Sequence, residues 1–96
     1  MDADKTDYIL LGSVLASNYR TNIMLMLGSR VATPKQIAKK TNLRIGHVSN
    51  VLKSLVDRDL IECVNAQAKR GRIYRLTSKG ERVVEMMKKL GLNEPR

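Results

Sequence analysis

The sequence predicts a mostly helical α+β domain: a three-helix core, then a two-stranded hairpin, with additional helices flanking it at both ends. Three observations predict it. Thr33-Pro34-Lys35-Gln36 spells a helix start, with a capping hydroxyl, a proline in the first helical position and a glutamine at the third. Val48, Val51, Leu52, Leu55 and Val56 recur at offsets 0, 3, 4, 7 and 8, an apolar stripe of core width along a second helix. Finally, Leu60-Ile61-Glu62-Cys63-Val64 and Arg72-Ile73-Tyr74-Arg75-Leu76 read as two strands, and Asn65 to Gly71 closes them into a hairpin.

At the N-terminal end, Thr6 or Asp7 starts a helix that runs through Ala16, with apolar residues on more than one side. Such a helix requires burial on two faces. A buried strand over Tyr8 to Leu15 is the alternative, because short apolar runs are ambiguous by periodicity. Ser17-Asn18 marks a break or a fresh N-cap, and Tyr19 to Leu27 reads as a second apolar helix that Gly28 ends. The two helices are either separate or one bent rod. The helix opened by Thr33 is short, ending near Thr41-Asn42; Ile37, Ala38 and Leu43 supply its apolar side, and Lys35, Lys39 and Lys40 face outward. The next helix spans 45–58, and its outer side carries Gly46, Ser49, Asn50 and Lys53 at offsets 0, 3, 4 and 7, with His47 at the margin. After the hairpin, Thr77 caps a last helix whose stripe is Val83, Met86, Met87 and Leu90, and Gly91 stops it. The expected organisation is one domain over 1–96: N-terminal helices 5–28, a helix pair 33–58, the hairpin 60–76 and a last helix 77–91.

Charge is unevenly placed. The chain has 96 residues and a formal net charge of +9, which favours a polyanionic partner. No Asp or Glu occurs from Tyr8 to Val56, where Arg20, Arg30, Lys35, Lys39, Lys40, Arg44 and Lys53 fall. A second acid-free stretch, Cys63 to Gly80, holds Lys69, Arg70, Arg72, Arg75 and Lys79. The basic charge therefore concentrates on the helix pair and the hairpin. A single cysteine excludes an intrachain disulfide and fits a reducing compartment. The start of the chain is acidic and its apolar run is broken by Gly12 and Ser13, so neither a signal peptide nor a membrane span is expected, and cytoplasmic localisation is the default.

A short capped helix, a turn, a second helix with a polar and basic outer face, and a basic hairpin together make the order of a winged helix-turn-helix. The second helix would be the recognition helix. Its face suits a major groove: Asn50 can pair bidentately with adenine, Ser49 and His47 can donate or accept, and Lys53 can reach guanine or phosphate. Gly46 removes a side chain where a helix backbone would approach DNA. Lys69, Arg70 and Arg72 sit at the hairpin tip with Gly71 as hinge, placed for phosphate or a minor groove. The bland alternatives are a solvated helix face, a solubilising hairpin tip and a histidine that only packs or caps.

Ser17-Asn18-Tyr19-Arg20, Thr33-Pro34 to Ile37-Ala38, His47-Val48-Ser49, Leu60-Ile61 and the closing Gly71-Arg72-x-Tyr74-x-Leu76-Thr77-x-Lys79-Gly80 resemble the small archaeal winged-helix transcriptional regulators, relatives of the ArsR-like and MarR-like groups. The resemblance implies sequence-specific binding of double-stranded DNA as a homodimer. By position it implies recognition-helix contacts at Arg44, Ile45, His47, Ser49, Asn50 and Lys53, and wing contacts at Lys69, Arg70 and Arg72; Lys35 on the supporting helix completes the candidate DNA-binding set. The chain departs from the pattern at Gly46, where a polar residue is common, and at Asp59, where a glycine is common before the strand.

No nucleophile, acid pair or phosphate loop points to an enzyme, and no cofactor is implied. Cys63 and His47 are the only soft metal ligands, too few for a stable site, so Cys63 is expected as a small core residue. The N-terminal helices and the Met-rich last helix expose more apolar surface than one small domain covers, which predicts a homodimer through both. The rival to a regulator is a winged-helix protein-interaction or non-specific architectural nucleic-acid-binding module.

Overall fold

The computed structural model describes residues 4–92. Its order is α1 (Lys5–Leu15), α2 (Asn18–Leu27), α3 (Pro34–Thr41), α4 (Ile45–Asp57), β1 (Ile61–Cys63), β2 (Tyr74–Leu76) and α5 (Ser78–Lys89). The winged-helix arrangement is present: α2, α3 and α4 form the trihelical core, β1 and β2 the wing, and α1 and α5 pack together beside them.

Local chemistry sets each boundary. The first helix starts earlier than Thr6 because Asp4 caps it: the Asp7 amide donates to Asp4 Oδ1 at 2.9 Å, and the Asp4 amide to Asp7 Oδ2 at 3.4 Å, a capping box built from two aspartates. Tyr8 to Leu15 is helical throughout, so the strand alternative is excluded. Ser17 is extended and accepts from the Arg20 amide, so α1 and α2 are separate helices. Thr33 and Gln36 complete the expected capping box of α3. Asn42 then takes a left-handed conformation at φ 58°, which Asn tolerates, and turns the chain into α4.

Three corrections concern packing, and Gly28 ends α2 as expected. Gly28 caps α2 with φ −66°, so no left-handed turn requires it; a Cβ there would lie 2.9 Å from Val84 Cγ1, and the glycine lets α2 end against α5. Val56 lies at the margin of the α4 stripe and is 42% exposed, whereas Val48, Val51, Leu52 and Leu55 are buried. Leu90 is 62% exposed, while Val83, Val84, Met86 and Met87 are inside the chain's own core. Cys63 is half-buried rather than a core residue, its thiol donating to Asn65 Oδ1. Gly91 does act as the terminator expected of it: at φ 87° it lets its own amide reach Lys88 O and the Leu92 amide reach Met87 O, closing the helix with Leu92 against the core.

The strands are shorter than their apolar runs, pairing antiparallel with Ile61 opposite Leu76, Glu62 opposite Arg75 and Cys63 opposite Tyr74. Ala32 adds an isolated bridge on the other edge, exchanging both backbone hydrogen bonds with Tyr74 at 2.9 and 3.2 Å. Between α4 and β1, Asp59 itself adopts φ 59°, so the tight turn forms without glycine, with the Asp59 amide on Val56 O and the Leu60 amide on Leu55 O. The buried Gly80 in the first turn of α5 sits against the Leu60 carbonyl so closely that a Cβ would overlap the oxygen. This contact is the physical content of the Lys-Gly ending of the Leu-Thr-x-Lys-Gly run.

The Asp7 carboxylate is 3% exposed and ties α1 to α5: Arg82 Nε donates to Oδ2 at 3.0 Å and Nη2 to Oδ1 at 3.4 Å. The hydrogen bond from Arg82 holds the Asp7 carboxyl below its ordinary value of 3.8 against the opposing effect of burial, with the Asp4 amide assisting.

Two measurements follow from these contacts. Gly80→Ala should destabilise the domain by about 3 kcal/mol or more, since a backbone oxygen must move to admit the methyl; urea unfolding at neutral pH reads it, and a cost under about 0.5 kcal/mol would contradict the close contact. Asp7→Asn should unfold at lower urea than the wild type at pH 7. Because the folded carboxyl titrates below 3.8, its contribution is complete above that pH and disappears as pH falls through the lower folded value, so the two midpoints should converge on acidification below 3.8.

Candidate nucleic-acid interface

Three parts of the fold meet at one surface. The first turn of α3 brings Thr33, Pro34 and Lys35; α4 brings Ile45 and Ser49; the wing brings Lys69, Arg70, Gly71, Arg72 and Tyr74. They line an open groove of about 890 Å³. Thus Lys35, Ile45, Ser49, Lys69, Arg70 and Arg72, far apart in sequence, share one concavity, with Ile45 and Tyr74 as its apolar part. Arg44, His47, Asn50 and Lys53 are exposed on α4 or at its cap but do not line the groove. Gly46, Ser49, Asn50 and Lys53 form the exposed strip expected of them, opposite buried Val48, Val51, Leu52 and Leu55. A Cβ at Gly46 would meet nothing within 4 Å, so the fold's own packing does not require that glycine.

The start of α4 is chemically distinct. Side chains of Asp4, Ser17, Thr33 and Thr77 cap the other helices, whereas Arg44, the N-cap of α4, makes no side-chain capping bond. First-turn amides and their positive partial charge therefore remain open beside an arginine.

Pairing divides the cations. Arg75 is bound to Glu62 at 2.7 Å, Lys79 to Asp59 at 3.5 Å and Arg82 to Asp7 at 3.0 Å. Among the described residues, Lys35, Arg44, Lys53, Lys69, Arg70 and Arg72 have no carboxylate partner. Arg75, Lys79 and Arg82 thus serve the fold, while Lys35, Lys69, Arg70 and Arg72 line the groove with their charge uncompensated; Arg30, Lys39, Lys40 and Lys88 also have no carboxylate partner among the described residues but do not line it.

The wing tip is an organised loop. Asn65 Oδ1 accepts from the Ile73 amide at 2.7 Å, and its Nδ2 donates to Gly71 O at 3.0 Å, so one side chain bridges both arms. The Ala68 amide donates to Asn65 O, Arg72 Nε to Ala68 O, and Gly71 turns the chain at φ 65°. Arg72 therefore braces the loop as well as presenting charge. Sequence reasoning passed over Asn65, although an Asn opening a hairpin loop is a known side-chain-to-backbone turn former. It also passed over Tyr19, whose ring meets His47 edge-on with centroids 4.4 Å apart and planes at 66°. That contact joins the starts of α2 and α4, and no local sequence pattern reports it.

A family profile described as winged helix-turn-helix matches residues 17–94. The chain belongs to the winged helix-turn-helix family. Among solved structures, this winged helix-turn-helix chain is similar to HlyU from Vibrio cholerae, with a TM-score of 0.75 at 18% identity over 94% of this chain and 97% of that one. It is similar to apo ZitR from Lactococcus lactis, with a TM-score of 0.71 at 20% identity over 94% and 74%. The adhesin competence repressor AdcR from Streptococcus pyogenes matches with a TM-score of 0.70 at 21% identity over 78% and 57%. In a second ZitR structure the match covers 51% of the ZitR chain, so the winged helix-turn-helix chain spans just over half the length of that ZitR chain and of AdcR. These likenesses establish the fold. A search among curated proteins returned no significant match. The family match spans α2 through α5, and with it the helix-turn-helix and the wing. Among the described residues no three His, Cys, Asp or Glu side chains gather to hold a metal, and no helix is long and apolar enough to cross a membrane.

Asn65→Ala should loosen the wing tip alone, at a local cost of about 1–2 kcal/mol for the orphaned Ile73 amide and Gly71 carbonyl. Amide exchange at Ile73 should quicken by about tenfold or more while the amides of α1 and α5 keep their protection; unchanged exchange at Ile73 would contradict the bridging role.

Proposed function

We propose that the domain, taken over 1–96, is a sequence-specific regulator of transcription in the ArsR-like and MarR-like range, binding double-stranded DNA as a homodimer. The observation that carries this reading is a convergence of charge: Lys35, Lys69, Arg70 and Arg72, none with a carboxylate partner among the described residues, line one groove shared by α3, α4 and the wing, and Arg44 and Lys53 are exposed at the cap and on the outer strip of α4. In this reading the recognition segment 45–58 enters the major groove, with Ser49, Asn50 and Lys53 at base edges and Gly46 admitting close approach. The wing segment 65–72 lies on the backbone or in the minor groove, with Lys69, Arg70 and Arg72 on phosphates and Lys35 and Arg44 on the flanking strand. The uncapped first turn of α4 favours a phosphate at the same place.

The dimer rests on α1. Tyr8 and Ile9 are each 62% exposed, and with Gly12, Leu15 and Ala16, also exposed, they form one outward stripe of that helix. The stripe of α5 offers less than the sequence alone implies, because Val83, Met86 and Met87 are buried within the chain and Leu90 alone of that set remains outside. Pairing through α1 and the exposed end of α5 would set two recognition helices about 34 Å apart, one DNA turn.

Selection from random duplex DNA should enrich a two-fold related site, and light scattering at micromolar concentration should show a dimer. On the selected duplex, Asn50→Ala should cost about 1–3 kcal/mol and relax preference at one position, whereas Arg70→Ala should weaken selected and random DNA alike and lower the salt slope by about one. A purely monomeric species would exclude the dimer, and unchanged DNA binding in both variants would exclude the assigned contacts.

A further inference from the structure

The contact between Tyr19 and His47 brings an exposed residue of the core scaffold against the recognition helix. Tyr19 lies in the first turn of α2, His47 in the first turn of α4, and both side chains are exposed. Their rings meet edge-to-face at 4.4 Å, at the short limit of the separations at which aromatic pairs attract beyond simple burial. Neither ring has a hydrogen-bonding partner among the described residues, so neither is held by anything more directional than the other. An exposed imidazole on a helix ordinarily samples several rotamers; against Tyr19 it has a preferred one. The backbone under Tyr19 is itself firm: Ser17 caps the helix on the Arg20 amide, Arg20 Nη1 donates to Ser13 O at 2.9 Å, and the Thr21 hydroxyl donates to Val14 O and Ser17 O. The ring that orients His47 therefore stands on the α1–α2 junction, outside the helix-turn-helix.

We propose that Tyr19 is a specificity-determining positioning residue, holding the His47 ring in one orientation at the entry of the recognition helix so that His47 contributes to discrimination between DNA sequences. This rests on the reading of α4 as the base-reading helix. Tyr19 acts through ring packing, so its hydroxyl is dispensable and its effect requires His47. The fixed ring pre-pays the ordering of His47 before DNA arrives, which is why the loss falls on the preferred sequence and not on affinity in general.

The test measures binding of the wild type, Tyr19→Ala, Tyr19→Phe, His47→Ala and the Tyr19→Ala/His47→Ala double variant to the selected duplex and to a scrambled duplex of equal length and salt. Tyr19→Ala should lose about threefold to tenfold on the selected duplex, the size of one aromatic pair, with less than twofold change on the scrambled one. Tyr19→Phe should match the wild type, and Tyr19→Ala should cost nothing further once His47 is alanine. In the free proteins, the imidazole proton shifts of His47 should move in Tyr19→Ala and not in Tyr19→Phe, a readout independent of DNA. Equal losses on both duplexes, additivity in the double variant, or a Tyr19→Phe defect equal to that of Tyr19→Ala would overturn the proposal, because each marks a direct backbone contact by Tyr19. Unmoved His47 resonances in Tyr19→Ala would overturn it too. A wild type with no sequence preference would instead overturn the regulator reading and this role with it, and is distinguished by appearing before any substitution is made.

Discussion

The peptide group of Leu60 is the joint on which the interface depends. Its amide donates to Leu55 O at the end of α4, its carbonyl accepts from the Thr77 amide at the start of α5, and that same carbonyl lies on the bare Cα of Gly80. The neighbouring Asp59 carbonyl takes the Thr77 hydroxyl at 2.6 Å. Recognition helix, wing and last helix are thus fastened within a few residues of one another, and the buried side chains of Leu55, Leu60 and Ile61 back the joint from inside. A groove formed by elements so distant in sequence has a definite width only if this joint does not yield. A larger residue at position 80, or a slack turn at 59, would change the angle between α4 and the wing before it touched any basic side chain.

Electrostatics is layered over that frame. The ion pairs Arg75–Glu62 and Lys79–Asp59 are half-exposed, and surface pairs of this kind add little to stability. Their larger effect is on the field. They compensate cations of the strand and of α5 that do not line the groove, whereas Lys35, Lys69, Arg70 and Arg72 within it keep their charge uncompensated. The buried Asp7 with Arg82 works differently: it clasps the flanking helices to each other, away from the groove, and its loss would be felt as stability and not as binding.

Much of the fold was legible because its signals are local. Thr33-Pro34-x-Gln36, the α4 stripe, Thr77 and Gly91 each announce a boundary through chemistry within four residues, and the structure honours them. What escaped involves partners distant in sequence. The Ala32 bridge to Tyr74, the Gly28 contact with Val84 and the Gly80 contact with Leu60 are all between segments whose proximity only the tertiary fold creates. Leu90 and Val56 differ for another reason: periodicity carries a stripe to the helix end, whereas these two end residues remain exposed. At the candidate site, residue types identified the polar strip and the basic tip. They did not reveal that Asn65 ties the tip, or that His47 leans on Tyr19.

The Ala32 bridge makes the wing something other than an appended hairpin. Two strands of three residues each would be marginal alone, and the strap from the α2–α3 connector gives their outer edge a partner. Ala32 and Tyr74 are brought together across the whole helix-turn-helix, so the strap closes only when the last third of the chain is present. The strap thereby couples the wing to the connector between α2 and α3, so a shift of that connector would move one wall of the groove.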